Sequence, residues 1–244
     1  MDSIRRSSFR CSFVWRTRWV ASLGARAVLR LGGAVAGGMD YEIIAKPLQI
    51  TLPTNGGVSF VLCGASRSGK TTLMKYLYRT FFKKHITTMF SLNAQADIYK
   101  DLSAKTIVCP EYLPELLEDA HTINSKTDNK YKFLFISDDF VGGMIKHDPQ
   151  VTRLLTVYRN AGCSSIFSFQ GRTLLSPVGR NNANYIAILK QNTPLEWINV
   201  IKEFLDGYLP MGMSMPEKVQ YCMKACEDHQ FFFIDNIEGC CYLT

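Results

Sequence analysis

Short apolar runs bounded by turn-forming residues recur along the chain, and stretches of helical period fill the intervals between them. The runs "EIIAKPLQITL" (broken at Pro47), "VSFVLC", "ITTMFSL", "KTIVC", "KFLFISD", "SSIFSFQ", "YIAILK" and "QFFFID" predict strands. Several are continuously apolar rather than alternating, the pattern of strands covered on both faces. Helices are predicted after Lys70 and near 111–120, 149–160, 194–206 and 216–227. Two of them carry written starts, Thr193-Pro194-Leu195-Glu196 and Ser214-Met215-Pro216-Glu217. Each combines a capping hydroxyl, a proline in the first turn and a glutamate at the third position. The polar stretch "INSKTDNK", 123–130, predicts a surface loop, and no internal repeat is visible. The alternation predicts a three-layer α/β domain with a mainly parallel central sheet.

A chain of 244 residues, 47% apolar and 20% charged, has the composition of one ordinary globular core. No run of eighteen apolar residues occurs, so no membrane span is predicted. The net charge of +7 changes the picture only through its distribution. Arg5, Arg6, Arg10, Arg16, Arg18, Arg26 and Arg30 crowd residues 1–38, where Asp2 is the only acid. From Met39 on, 21 basic residues face 20 acidic ones, so the basicity belongs to an N-terminal arm and not to the domain at 39–244. Such an arm reads as an organelle transit peptide, as a disordered segment that binds phosphate or an acidic partner, or as a start-site artefact if the true start is Met39. Eight scattered cysteines point to reduced thiols in a cytosolic setting. Cys222, Cys226, His229, Cys240 and Cys241 offer metal-ligand chemistry near the C-terminus, but their spacing lacks a paired CxxC.

The sharpest chemistry is Gly64-Ala65-Ser66-Arg67-Ser68-Gly69-Lys70-Thr71, followed by Thr72. It fits G-x-x-x-x-G-K-[ST] without a mismatch. A loop of that length lets successive backbone N–H groups turn inward onto phosphate oxygens. The helix that follows adds its own free N–H groups and the positive end of its dipole. In this pattern Lys70 reaches the β- and γ-phosphates and the Thr71 hydroxyl joins a Mg²⁺ shell. A strand before the loop and a helix after it supply the context the motif requires, so a nucleoside triphosphate site is predicted.

A second part follows in "KFLFISDDF". Asp138, closing a buried strand, is placed to hold Mg²⁺, and Asp139 to orient or deprotonate an attacking water. About thirty residues on, "SSIFSFQG" ends a further strand at Gln170, an amide suited to sensing the γ-phosphate.

In this order the motifs "GASRSGKTTL", "FLFISDDF", "YRNAGCSSIFSFQ" and "RNNANYIAILK" resemble the FtsK–HerA superfamily of pumping ATPases. Within it they resemble the poxvirus-type genome-packaging ATPases of large double-stranded DNA viruses. The match covers about residues 56–192. The resemblance implies a three-layer P-loop NTPase fold of ASCE, RecA-like type. It also implies an ATP- and Mg²⁺-dependent ring that moves duplex DNA into a capsid, with a capsid or portal protein as further partner. The host cytoplasm and the virion are the places it implies; a cellular protein would be cytoplasmic, or imported if 1–38 is a transit peptide. Carried onto this chain, it gives Lys70 and Thr71 to nucleotide and metal, Asp138 to Mg²⁺, Asp139 to water activation and Gln170 to the sensor. Arg159 and Arg180 are the two candidates for an arginine reaching a neighbouring subunit's γ-phosphate. The aspartate at 139 departs from the glutamate usual in the wider superfamily.

The main alternative is a nucleoside or nucleotide kinase, which shares the phosphate loop. Residues 39–244 carry only six arginines and no cluster of a lid type, and Gln170 suits hydrolysis better. A guanine-reading motif in the right order and an "LSGGQ"-like signature are both missing. Contacts to DNA phosphates are weakly written, with Lys83-Lys84, Arg153 and Arg172-Thr173 as candidates. The methionine-rich "MGMSMPEK" at 211–218 reads as core filler or an adaptable loop, with packing at a partner surface as the alternative.

Overall fold

The computed structural model describes residues 46–93, 97–100, 102, 105–138, 148–170 and 176–244. The N-terminal arm therefore lies outside the described residues. Eight strands form one sheet: β1 (Ser59–Cys63), β2 (Ile86–Phe90), β3 (Thr106–Cys109), β4 (Phe133–Asp138), β5 (Cys163–Phe169), β6 (Tyr185–Ile188), β7 (Phe232–Asp235) and β8 (Cys240–Leu243). Their order is β3-β2-β4-β5-β1-β6-β7-β8. The first six in this order run parallel, and β7 and β8 are added antiparallel. This is the mainly parallel α/β sheet that the apolar runs predict.

Helices α1 (Lys70–Leu77), α2 (Glu115–Lys126), α3 (Pro149–Thr156), α4 (Pro177–Asn181), α5 (Pro194–Val200) and α6 (Met215–Ala225) cover both faces. The alternation of side chains divides each strand between two cores. Phe60, Leu62, Leu134, Ile136 and Ile166 face α1, where they meet Leu73, Met74 and Leu77. Val61, Cys63, Phe135 and Phe167 face the opposite way onto Leu117 of α2, Leu154 of α3, Trp197 of α5 and Val219 of α6. Strands with two covered faces need apolar residues at every position, which is why "SFVLC" is buried throughout.

Helix starts follow the written signals. Thr193 accepts from the Glu196 N–H while the Glu196 carboxylate accepts from the Thr193 N–H, a closed capping box. At Ser214 the Glu217 carboxylate takes both the backbone N–H and the hydroxyl, each at 2.7 Å. Asp148 and Ser176 start α3 and α4 as simple caps followed by proline, accepting from the Gln150 and Gly179 N–H groups.

Two expectations require correction. The described part of "EIIAKPLQITL", residues 46–52, is not a strand. Pro47 has no amide to give a ladder, and the segment is pinned by tyrosines instead. The Tyr242 hydroxyl donates to the Gln49 carbonyl at 2.6 Å and the Tyr185 hydroxyl to that of Thr51 at 2.7 Å. The predicted loop at 123–130 is helical through Lys126, and the helix expected near 111–120 starts only at Glu115. Asn124, fully buried, explains the extension. Its amide donates to the carbonyls of Tyr131 and Ala161, and its Oδ1 accepts from the Tyr131 N–H. A polar residue read as solvent-facing is thus the clamp between α2, the approach to β4 and the approach to β5.

Candidate nucleotide and metal site

The phosphate loop is held at its root by the strands on either side of β1. The Gly64 N–H donates to the Phe169 carbonyl at the end of β5, and the Ala65 N–H to the Lys190 carbonyl beyond β6. Gly69 carries the left-handed φ of 101° from which α1 begins, a conformation that favours glycine. A Cβ on Gly64 would stand 2.6 Å from Ser68 Oγ and 2.8 Å from Leu189 Cβ, so the hollow of the loop requires glycine there. Arg67 also takes a positive φ, at 63°, with its side chain exposed. Ser66 and Thr72 are likewise exposed.

Lys70 is 3% exposed and its ammonium donates back to the Ala65 carbonyl at 2.9 Å. Below the loop, burial pushes the Cys63 thiol up to about 12, with the Lys70 ammonium pulling partly against it. Cys63 is therefore a neutral floor and not a nucleophile. The Ser68 hydroxyl is buried and has no partner among the described residues. A hollow that excludes a Cβ, backed by a buried ammonium and an unpartnered hydroxyl, fits a phosphate chain.

The strand order brings the remaining chemistry to the same edge. Register pairs Cys63 with Phe169 and Ser168 with Asp138, so β5 stands between the phosphate-loop strand and the acid strand. Asp138 is 2% exposed and takes the Thr71 hydroxyl at 3.1 Å on Oδ2. The same Oδ2 accepts from the Tyr99 hydroxyl at 2.8 Å. A carboxylate and a threonine hydroxyl side by side are the hard oxygen donors a Mg²⁺ ion takes. Gln170 directly follows β5 at this edge and is exposed. Lys70, Thr71, Asp138 and Gln170 are thus brought together; Asp139 lies outside the described residues.

The two arginines stand elsewhere. Arg159 precedes β5, and its guanidinium donates to the Asn182 carbonyl at 3.0 Å and to Asn184 Oδ1 at 3.3 Å. Arg180, in α4 ahead of β6, is paired with Glu203 at 2.7 Å. Both sit at the end of the sheet where the parallel strands begin, opposite the phosphate loop. Of the DNA-contact candidates, Lys83, Lys84 and Arg153 are exposed, and Arg172-Thr173 lies outside the described residues. In the methionine-rich segment Met213 is buried and Met211 fully exposed. Cys222 in α6 and Cys226 just past its end are buried, and burial raises both thiols.

Sequence reasoning missed Tyr99 and Ser91. The Ser91 hydroxyl meets Tyr99 Oη at 3.1 Å, and the Asn93 N–H donates to Ser91 Oγ at 3.2 Å. No motif marks either residue; the one available signal is that Ser91 directly follows β2, the strand beside β4.

Fold and site together define a three-layer α/β domain built on a P-loop, with the acid strand separated from the loop strand by one inserted strand. Known structures share this fold. The genome packaging NTPase B204 from Sulfolobus turreted icosahedral virus 2, solved with sulfate, matches with a TM-score of 0.57 at 18% identity, covering 78% of this chain and 96% of that one. Its complex with AMPPCP matches with a TM-score of 0.54 at 20% identity, covering 78% and 98%. The pCW3 conjugation coupling protein TcpA with ATPgS matches with a TM-score of 0.57 at 11% identity, covering 83% and 64%. No family model matches the chain, and no curated protein does. Among the described residues no helix is long and apolar enough to cross a membrane.

Proposed function

We propose that the chain is an ATP-hydrolysing motor that moves double-stranded DNA, and that its task is to package a viral genome into a capsid. One observation carries this reading. Inserting β5 between β1 and β4 puts Gln170 at the same edge as Lys70, Thr71 and Asp138. That is the layout a hydrolase needs, with phosphates on the loop, a metal beside the acid and a polar group facing the terminal phosphate. The likeness in fold to a genome packaging NTPase and a conjugation coupling protein adds support.

In this reading Gly64 to Thr72 hold the phosphates, and Lys70 turns from the Ala65 carbonyl toward the β- and γ-oxygens. Thr71 and Asp138 hold Mg²⁺, which when bound neutralises charge developing between the last two phosphates. Asp139 orients or deprotonates the attacking water, and Gln170 reports the γ-phosphate. Arg159 or Arg180 serves a neighbour in a homo-oligomeric ring, where an arginine supplied in trans accelerates transfer by roughly a thousandfold to a hundred-thousandfold. DNA is held through its backbone without base reading, so binding is sequence-independent and salt-sensitive. A capsid or portal protein is the docking partner, in the host cytoplasm and the virion.

The test is ATP hydrolysis with and without duplex DNA over a range of protein concentrations, alongside the mass of the assembled species. Activity rising with both is expected. Activity indifferent to both, but requiring a nucleoside or nucleotide acceptor, would replace the motor with a small-molecule kinase.

A further inference from the structure

The buried carboxylate of Asp138 is served by a second hydroxyl that the phosphate-loop motif does not supply. Tyr99 Oη donates to Oδ2 at 2.8 Å, closer than Thr71 at 3.1 Å. Because the tyrosine proton is spent on the carboxylate, the Ser91 hydroxyl donates to Tyr99 Oη, and the Asn93 N–H in turn donates to Ser91 Oγ. Every donor in this chain points toward Asp138, so each bond polarises the next. Tyr99 is 9% exposed, Ser91 1% and Asp138 2%, which keeps water from the two inner links, while Asn93 at the outer end is exposed. Tyr99 is held by packing as well, since its ring belongs to the core on the α1 face with Met89, Leu134 and Ile136.

We infer that Tyr99, backed by Ser91, is the positioning residue for the metal-holding acid. It fixes one oxygen of Asp138 so that the other faces the cation. The inference rests on the proposed nucleotide reading and adds a residue to it. Thr71 has two duties in that reading, since an oxygen lone pair must turn to the metal while the hydroxyl proton stays on Asp138. A carboxylate held by that one shared bond could pivot about it. The tyrosine has no such second duty, and it keeps the acid in place.

The experiment is a Mn²⁺ titration, followed by its paramagnetic signal, of the full chain saturated with a non-hydrolysable ATP analogue. Wild type, Tyr99→Phe, Ser91→Ala and Asp138→Asn are compared, each with a thermal melt. Loss of an outer-shell partner typically weakens metal binding about 10–100-fold. Tyr99→Phe, which keeps the ring, is expected to shift half-saturation by that factor while metal-free nucleotide affinity stays at the wild-type value. Ser91→Ala is expected to shift it about 1.3–4-fold in the same direction, since each link lends the next about 10–30% of its strength. Superimposable curves for Tyr99→Phe and wild type, with Asp138→Asn impaired, would overturn the inference and leave the nucleotide reading standing. An unimpaired Asp138→Asn would overturn both. Should Tyr99→Phe fail to fold, the Ser91→Ala curve decides, and its coincidence with wild type overturns the inference.

Discussion

Replacing Lys70 by alanine separates a phosphate-holding lysine from a merely structural one. Its ammonium is 3% exposed and donates to the Ala65 carbonyl at 2.9 Å. On the structural side the substitution removes that bond, worth about 1 kcal/mol net. It also removes an ammonium that had been taken out of water, which offsets that loss. The change in folding stability is therefore expected to stay within about 1 kcal/mol. On the functional side two charge-assisted hydrogen bonds to phosphate oxygens disappear, each worth about 1.5–3 kcal/mol. Together they amount to about 3–6 kcal/mol, or roughly 10²–10⁴ in affinity. Fluorescence titration with a labelled ATP analogue, run beside urea unfolding, reads both numbers. An affinity within about threefold of wild type would refute the reasoning, because the lysine would then not face the phosphates at all.

Other outcomes follow from the same site and from one histidine. Asp139→Asn is expected to bind ATP normally and to turn over at a small fraction of the wild-type rate; a wild-type rate in single-turnover hydrolysis would remove Asp139 as the base. His85 packs edge-on against Phe82 at 5.1 Å between ring centres. Burial, helped by the nearby Lys132 charge and partly opposed by the Phe82 backbone, lowers its pKa from 6.5 to about 4. The folded ring stays neutral while the unfolded one takes a proton. Stability is thus full above pH 6.5, falls as pH drops toward 4 and levels off below, a loss of roughly 1–2 kcal/mol once screening of the partly exposed ring is allowed for. Urea melts between pH 7.5 and 4 should show the slope in wild type and a shallower one in His85→Gln; parallel profiles would dismiss the histidine.

Much of the fold was legible because its strands are covered on both faces. Continuous runs such as "VSFVLC" and "KFLFISD" have no solvent side to encode, so they stand out in composition alone. The helix starts at Thr193 and Ser214 were legible for a different reason, since capping is local chemistry. What escaped depends on distant partners. β8 is four residues, Cys240–Leu243, that become a strand only by pairing with β7. Asn124 looks like a loop residue until the carbonyls of Tyr131 and Ala161 meet it. The site divides the same way. Lys70, Thr71 and Asp138 lie in contiguous signatures, whereas Tyr99 reaches Asp138 from 39 positions away with no pattern around it.

The two candidate arginines and the phosphate loop occupy opposite poles of the sheet, separated by a five-residue strand of about 17 Å. One subunit cannot bring its own arginine to its own triphosphate without dismantling the core between them. Copies that share one would have to meet head to tail, start-pole against finish-pole, and such contacts close into a ring only if the rotation between neighbours divides a full circle. In the proposed ring Arg180 would also have to abandon Glu203, and that ion pair would then act as a latch released as a junction forms.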